Sequence, residues 1–465
     1  MSEAFSESKI NSSELKDRME ALRAFFESRK SQSLEFRLSQ LRSLQAELQK
    51  REKDLFEALR ADLNRPPFEA WTGEIQPIFR ELDLMIRKLP RWSRPKRLST
   101  PWWRIAHFLS SAELSREPYG LSLIFSPWNY PLQLALLPLM GSMAAGNVSV
   151  LKPSEQSPNS SQLLYEILTA SVQADFVQVF LGGPSVAQEL MEHRFEKLFF
   201  TGSTQTGREL YQKAAKQLAS VTLELGGRCP SVIMPSANFE KAAERVLWGK
   251  AFNAGQTCVS PNHLYIPRKR VSDFVEIFKL YSARLEGHFS KLIHSRHFNR
   301  IQELAQSPAK QRICFGKERA DANHFPLTLL IEASLDGAAS KEEIFGPILP
   351  VYGFDSEDEL QQWLQRDQDA LAVYFFSSNE SEISKYRALT RSGAFVVNDL
   401  LVHLTHPELA FGGIGKSGLG AYHGRFSYEC FSSLRSFERR PLWDRWGMRF
   451  PPYKNTLTKW VRDFI

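Results

Sequence analysis

Leucines recur at helical spacing in the first hundred residues of the chain. Steps of 3, 4, 7 and 4 residues separate Leu41, Leu44, Leu48, Leu55 and Leu59. Residues spaced in this way share one face of a helix, so the pattern predicts an amphipathic helix packed against a core. A coiled coil would show the same pattern, but it needs more heptads than fit before Pro66 and Pro67.

Near residue 120 the pattern changes to short apolar runs that end in turns or polar residues. These runs are LSLIF (121–125), VSVLK (148–152), FVQVF (176–180), KLFF (197–200) and VTLEL (221–225). Short strands that alternate with helical stretches indicate βαβ units and a parallel sheet. Ligands of such a sheet bind at the carboxyl ends of its strands.

A second α/β region follows residue 228. We predict a helix over residues 242–256 and strands at three apolar runs: HLYIP (263–267), PILPVYGF (347–354) and AVYFFS (372–377). The hydrophobic pattern therefore predicts an α/β protein built from two successive regions.

Composition narrows the class of protein. The chain has 465 residues, 43% of them hydrophobic and 24% charged, which is a globular composition and excludes a disordered or fibrous protein. This length predicts two to three domains at roughly 150 residues each. Four cysteines without paired spacing indicate reduced thiols and a cytoplasmic location. The polar N-terminus lacks the apolar segment of a signal peptide, and we expect residues 1–16 to be flexible.

The net charge of +7 suits anionic partners such as a nucleotide or a membrane surface. Basic residues concentrate between 87 and 104, at Arg87, Lys88, Arg91, Arg94, Lys96, Arg97 and Arg104. No nucleic-acid recognition motif accompanies them, so we interpret them as a solvated basic face and predict no nucleic-acid partner.

Two strand ends carry residues suited to a nucleotide. Gly202, Ser203 and Gly207 lie in a turn between a strand and a helix, where free N–H groups can bind phosphate, although a plain tight turn would look the same. Lys152 and Glu155 follow another strand and could bind ribose hydroxyls. The alternative is a helix N-terminus with Pro153 in its first turn.

Cys258 and Glu224 are the candidate reactive groups. Cys258 follows a helix and a glycine, in a turn where a thiol can face a cleft. We interpret the other cysteines, Cys229, Cys314 and Cys430, as inert core residues. Glu224 lies inside an apolar strand, so it is costly as an unpaired anion and is a candidate base with a raised pKa.

His403 and His406 show helical spacing but no third ligand. We therefore predict no metal site and interpret both as solvated or hydrogen-bonded histidines.

Seven motifs occur together in one order: PWNYP (127–131), KPSE (152–155), FTGSTQTG (200–207), LELGG (223–227), NAGQTC (253–258), EEIFGP (342–347) and AFGGIGKSG (410–418). This set resembles the aldehyde dehydrogenase superfamily. Residues 415–436 resemble its class 3 branch, which includes the fatty aldehyde dehydrogenases. The resemblance covers roughly residues 20–440 and implies oxidation of an aldehyde to an acid with NAD as cofactor, and NADP as the alternative cofactor.

The resemblance also implies roles for residues. Cys258 matches the nucleophile that forms a thiohemiacetal and then a thioester, and we expect a neighbouring base or helix N-terminus to activate it. Asn129 matches the oxyanion donor, and Glu224 matches the base that activates water. The residues that match cofactor-binding positions are Trp128, Lys152, Glu155, Gly202, Ser203, Gly207, Glu343 and Phe345.

The family resemblance implies three structural parts in an α/β fold. A parallel-sheet dinucleotide-binding domain takes residues 17–97 and 120–225. An α/β catalytic domain takes 226–410, and a small oligomerisation element combines 98–119 with 414–440. Class 3 relatives are typically dimers, so we expect a homodimer that acts on medium- or long-chain aliphatic or aromatic aldehydes.

The tail, residues 441–465, has three interpretations. Leu457, Trp460, Val461, Phe464 and Ile465 share one helical face, with basic residues among them. A terminal helix would pack on the protein itself or on a dimer partner, or it would contact an anionic membrane surface peripherally. The third interpretation is a disordered tail.

Rival functions also remain at this point. An acylating enzyme would pass the thioester to coenzyme A, but relatives of that kind generally lack a base at the position of Glu224. A thioester hydrolase would need no ribose ligands, and a non-catalytic relative would not need Cys258, Glu224 and Asn129 together.

Overall fold

A computed structural model describes residues 12–99, 110–285, 288–440 and residue 451. Its strands, in chain order, are β1 (Lys96–Leu98), β2 (Ser111–Pro118), β3 (Leu121–Phe125), β4 (Val148–Lys152), β5 (Val177–Val179), β6 (Lys197–Gly202), β7 (Ser220–Leu225), β8 (Cys229–Ile233), β9 (Pro261–Pro267), β10 (Ala309–Cys314), β11 (Thr328–Ala333), β12 (Ile348–Phe354), β13 (Ala370–Phe376), β14 (Ser392–Val397), β15 (Gly418–Leu419) and β16 (Ser432–Arg439).

The first sheet has the strand order β15-β7-β6-β3-β4-β5. The five strands from β3 to β7 are parallel, as predicted, and β15 adds an antiparallel edge to β7. Every residue of β3 and β4 is buried, which explains why these strands are mainly apolar. Because the strands are parallel, the residues that follow β3, β4 and β6 meet at one edge of the sheet.

The second sheet has the order β10-β11-β12-β9-β8-β13-β14, parallel except for β10 at one edge. It begins four residues after β7 ends, at Cys229. The turn at residues 226–228 therefore joins the carboxyl edge of the first sheet to the amino edge of the second. Loops that precede β8, β9 and β12 lie at that amino edge.

A third, antiparallel sheet has the order β1-β2-β16. This sheet pairs residues 111–118 with residues 432–439, and both stretches belong to the predicted oligomerisation element. Two strands differ from the predicted bounds of that element. Lys96–Leu98 joins this sheet, and Gly418–Leu419 pairs with the first sheet instead.

Helices connect and cover the sheets. The α-helices are Ser12–Glu27, Leu34–Lys50, Glu52–Leu63, Pro67–Ala70, Gln76–Trp92, Gln133–Ala145, Pro158–Ser171, Pro184–Leu190, Thr204–Lys216, Phe239–Ala251, Val271–Ser282, Ser295–Leu304, Ala338–Lys341, Glu357–Leu364, Glu380–Leu389 and Arg425–Cys430. Trp71–Ile75 forms a π-helical turn. Among the described residues, no helix is long and apolar enough to cross a membrane.

The N-terminal helices differ from two predictions. The leucine pattern spans two helices, because the backbone leaves the helical conformation at Arg51 (φ −97°, ψ 16°), yet all five leucines are buried. Residues 12–16, which we expected to be flexible, begin a helix that buries Leu15. The rest of the segment predicted to be flexible, residues 1–11, lies outside the described residues, as do 100–109, 286–287, 441–450 and 452–465.

Candidate active site

The turn that carries Cys258 has an unusual backbone. Helix Phe239–Ala251 passes into a 3-10 turn in which Asn253 (φ 52°), Ala254 (φ 50°) and Gly255 (φ 71°) are all left-handed. Left-handed non-glycine residues are strained and persist only where their surroundings hold them. Gly255 has a steric reason, since an added Cβ would lie 2.3 Å from the carbonyl oxygen of Gly346.

Side chains of the turn hold it in this shape. Asn253 Nδ2 donates to the carbonyl oxygen of Gln256 (3.1 Å), and Gln256 Nε2 donates back to that of Asn253 (3.1 Å). Gln256 Oε1 accepts from the N–H of Ile293 (3.1 Å), and Glu69 accepts from the N–H of Asn253 (2.9 Å). These bonds fix the backbone from which the Cys258 thiol projects.

Asn129 lies beside this turn. It is buried, and its Nδ2 donates to the carbonyl oxygen of Gln256 at 3.0 Å. The next residue makes a second link, because Tyr130 Oη and Thr257 Oγ1 are 2.7 Å apart. An amide nitrogen carries two hydrogens, so the bond to Gln256 leaves one for a further acceptor near Cys258.

Cys258 as a residue is partly exposed. Burial of the thiol raises its pKa far above the ordinary value, the nearby groups of Cys229, Glu343 and Glu224 raise it further, and the Val259 N–H lowers it. No helix begins at Cys258, so the expected helix N-terminus is not there; a turn and then β9 follow. Glu224 and Glu343 are the carboxyl groups whose charge acts on this thiol, and each can serve as the expected neighbouring base only in its carboxylate form.

Glu224 is a buried carboxyl with no partner. It is 3% exposed, and neither carboxyl oxygen has a hydrogen-bond partner among the described residues. Burial raises its pKa well above the usual range, as predicted from its position in an apolar strand. A buried carboxyl without a partner and with a raised pKa is suited to exchange protons with a reactant rather than to stabilise the fold.

Glu343 faces the turn at residues 226–227. Burial raises its pKa to about 7, opposed by the Gly227 N–H, Arg300 and Lys250. Its Oε1 has no partner among the described residues, and a Cβ added to Gly226 would lie 1.9 Å from its Oε2. The first glycine of the pair in LELGG, Gly226, is therefore needed to admit this carboxyl group.

Two aromatic side chains border the same loop. The Trp128 and Phe345 ring centroids are 5.4 Å apart, edge to face. Phe345 has a left-handed backbone (φ 53°), and His297 Nε2 donates to its carbonyl oxygen at 2.8 Å. Burial lowers the pKa of His297 to about 4, so the ring is neutral and its proton on Nε2 is defined by this bond.

The carboxyl edge of the first sheet holds the remaining candidates. Lys152, the last residue of β4, donates a hydrogen bond from Nζ to Glu155 Oε2 at 2.7 Å. The helix begins only at Pro158, so the alternative with Pro153 in a first helical turn is wrong. A five-residue turn separates the strand from the helix and leaves this pair beside the sheet edge.

The turn predicted to bind phosphate, residues 202–207, also lies between a strand and a helix, as predicted. Helix Thr204–Lys216 starts after β6, with Ser203 as its N-cap accepting from the N–H of Thr206 (3.2 Å). Added Cβ atoms at Gly202 and Gly207 would meet Phe200 at 2.5 Å and Leu225 at 2.4 Å. A helix N-terminus, a lysine–glutamate pair and the unpartnered Glu343 Oε1 together fit the phosphates and ribose hydroxyls of a dinucleotide.

Several residues that hold this site were not singled out in the sequence. Arg300 donates to the carbonyl oxygens of Glu343 (2.7 Å) and Ile344 (2.9 Å), and Asn262 Oδ1 accepts from the N–H of Ile344 (2.8 Å). Lys250 is fully buried, and burial lowers its pKa to about 7 while Glu343 opposes the shift. Their contacts are distant in sequence, so no local pattern marks them.

Two predictions about other residues need correction. Cys314 is exposed rather than in the core, because β10 is an edge strand; Cys229 is buried and Cys430 is partly exposed. His403 is neither solvated nor hydrogen-bonded: both ring nitrogens are buried without partners among the described residues, and burial lowers its pKa to about 4. His406 accepts from the N–H of Glu408 (3.2 Å).

Comparison with known proteins agrees with the geometry. Residues 4–437 match the aldehyde dehydrogenase family, and the chain belongs to it. Its relatives include members of family 3: aldehyde dehydrogenase family 3 member B1 of Rattus norvegicus is 37% identical over 447 residues, covering 94% of each chain. The 4,4'-diaponeurosporen-aldehyde dehydrogenase of Staphylococcus aureus is 33% identical, covering 95% of this chain and 97% of that protein.

A solved structure shows the same fold. The substrate-bound state of Staphylococcus aureus AldH superposes with a TM-score of 0.93 at 32% identity, covering 98% of this chain and all of that one. The chain therefore has the aldehyde dehydrogenase fold, and it is an NAD(P)-dependent enzyme that oxidises aldehydes to carboxylic acids. Among the described residues, no group of three or more His, Cys, Asp or Glu side chains is placed to hold a metal ion.

Proposed function

We propose that Cys258, Asn129 and Glu224 carry the oxidation. The Cys258 thiolate adds to the aldehyde carbon, so that a C–S bond forms and the carbonyl oxygen takes up the negative charge. The free N–H of the Asn129 amide and the Cys258 backbone N–H stabilise that oxygen. A donor of this kind is worth about 3–4 kcal/mol. Supporting this role, Asn129 is bonded to Gln256, two residues before the nucleophile.

The second half of the reaction needs a base. Bound NAD(P) supplies the acceptor for the hydride that leaves the thiohemiacetal carbon. Glu224 in its carboxylate form then takes a proton from water, hydroxide adds to the thioester carbon, and the C–S bond breaks to release the acid. The unpartnered, buried Glu224 carboxyl is the single observation that carries this proposal. It also favours hydrolysis over transfer of the acyl group to coenzyme A.

Further residues would hold the cofactor. We assign the adenosine ribose to Lys152 and Glu155, the pyrophosphate to the turn Gly202–Gly207 with Ser203, and the nicotinamide end to Glu343, Phe345 and Trp128. Because the Glu155 carboxylate repels a 2′-phosphate, we propose that NAD is preferred. A relative of 35% identity is named as dimeric and NADP-preferring, so specificity constants for both cofactors are the necessary measurement.

The experiment that tests these roles replaces two cysteines separately. Cys258→Ala should abolish NADH formation with any aldehyde and leave NAD binding unchanged. Cys229→Ala is the matched control, because Cys229 is buried beside the same turn, with its Sγ 3.4 Å from the carbonyl oxygen of Cys258. Near-normal turnover by Cys258→Ala would eliminate the mechanism. NADH formation that depends on coenzyme A would favour the acylating reaction instead.

The substrate, assembly and location are also proposals. We propose medium- or long-chain aliphatic or aromatic aldehydes as substrates, supported by similarity to a diaponeurosporen-aldehyde enzyme, and an aldehyde panel tests this. We propose a cytoplasmic homodimer with the three-part domain division given above, testable by sedimentation and limited proteolysis. Liposome flotation of the intact chain and of a chain ending at Pro452 would decide whether the tail packs on protein or contacts membranes.

A further inference from the structure

A buried ion pair lies behind the Asn129 loop. Arg65 Nη1 bonds Glu74 Oε1, and both side chains are completely shielded from solvent. Burying two charges costs more than burying apolar groups of similar size, so such a pair adds little to stability by itself. The other contacts of Arg65 and Glu74 therefore point to a role other than stabilising the fold.

Those contacts all reach residues 129–133. Arg65 Nη2 donates to the carbonyl oxygen of Asn129, and its guanidinium lies 4.6 Å from the centre of the Tyr130 ring. Glu74 Oε2 accepts from the N–H groups of Leu132 (2.8 Å) and Gln133 (3.1 Å). The pair therefore holds the backbone of this loop at Asn129 and at Leu132 and Gln133.

Helix geometry explains the contact made by Glu74. Helix Gln133–Ala145 begins within this loop, and Leu132, its N-cap residue, offers no side-chain acceptor for the first N–H groups. Glu74 supplies the missing acceptor from a residue 58 positions away. Glu74 itself lies in the π-helical turn Trp71–Ile75, an arrangement that is frequent at functional sites.

We propose that Arg65 and Glu74 are positioning residues for Asn129. They set the start of helix Gln133–Ala145 and the Asn129 carbonyl, and so aim the Asn129 amide at the developing oxyanion. This inference rests on the proposed role of Asn129. Glu74 reaches the loop through the backbone N–H groups of Leu132 and Gln133, and through its ion pair with Arg65.

A double-mutant cycle tests the inference. Glu74→Gln should slow hydride transfer, measured as the single-turnover rate of NADH formation, by about 10- to 100-fold, since displacing a reacting group by 1 Å can cost roughly 100-fold. The dissociation constant of NAD should stay within about twofold. In an Asn129→Ala background, the same substitution should slow the step by no more than about twofold, because no amide is left to misplace.

Glu81→Gln is the matched control. Glu81 is also buried, but its carboxylate accepts from the Gly424 N–H (2.7 Å) and Ser427 Oγ (3.2 Å) rather than from residues 129–133. Its substitution should leave the single-turnover rate unchanged. If Glu74→Gln fails to fold, Arg65→Met with Glu74→Leu replaces the pair by apolar groups, a change that proteins often tolerate, and enters the same cycle.

The outcomes separate the two proposals. A slow Asn129→Ala enzyme with a normal Glu74→Gln rate, or equal losses from Glu74→Gln in both backgrounds, overturns the positioning role alone. A normal rate for Asn129→Ala overturns the proposed role of Asn129 and the positioning role with it.

Discussion

The contact between Gly226 and Glu343 allows a sharp test of the cofactor assignment. A Cβ added by Gly226→Ala would lie 1.9 Å from Glu343 Oε2, whereas real Cβ contacts are essentially never shorter than 3.0 Å. The carboxylate must therefore withdraw by about 1 Å or more. Because Arg300 and Asn262 hold the backbone of the Glu343 loop, the side chain must leave its position while the loop stays.

The size of the effect follows from the bond that is lost. A hydrogen bond to a charged group contributes about 1.5–3 kcal/mol, and about 1.4 kcal/mol corresponds to a factor of ten. Gly226→Ala should therefore lower kcat/KM for NAD by about 10- to 100-fold. Gly227→Ala is the matched control, because its Cβ would first meet the Leu371 nitrogen at 3.2 Å and then Ser417 at 3.6 Å, and no carboxylate.

The assay is initial-rate kinetics at varied NAD, with thermal unfolding to confirm that both variants fold. The control should lose no more than about threefold in kcat/KM. A Gly226→Ala enzyme that retains the wild-type kcat/KM for NAD would refute the claim that Glu343 holds the cofactor. Equal losses in both variants would point to general disturbance of the turn.

Three further predictions follow from the site. Glu224→Gln should give a burst of NADH and then stall, as judged by stopped-flow absorbance; loss of the burst as well would mean that Glu224 also activates the thiol. Because burial raises the pKa of Glu224 and only its carboxylate form can take a proton from water, the rate of thioester hydrolysis should rise with pH, and a flat profile in the wild-type enzyme would argue against Glu224 as the base. Glu155→Gln should increase kcat/KM for NADP relative to NAD, since it removes the charge that repels the 2′-phosphate; an unchanged ratio would place cofactor discrimination elsewhere.

Fully buried strands were the most predictable part of the fold. LSLIF and VSVLK match β3 and β4 residue for residue, because a strand covered on both faces is a mainly apolar run that stands out from the residues around it. The break at Arg51 could not be predicted, since no Gly or Pro marks it and the leucine spacing continues across it. The pairing of Gly418 with Glu224 is equally invisible in a local pattern, because 194 residues separate the partners.

The candidate site also has residues that the sequence makes predictable and residues that it does not. Cys258 and Glu224 stand out because a thiol after a glycine and a carboxyl inside an apolar strand conflict with their surroundings. The residues that hold them do not. Arg65 and Glu74 look like ordinary surface charges in the sequence, and only the fold shows that they are buried and contact residues 129–133.

The most direct test of the mechanism is to locate the covalent intermediate. Glu224→Gln enzyme, mixed with NAD and an aldehyde and quenched in acid during the burst, should carry one acyl group, and peptide mass mapping should place it on Cys258. NADH formed in stoichiometric amounts with the acyl group on Cys229, or with no acyl group on any cysteine, would contradict the central claim.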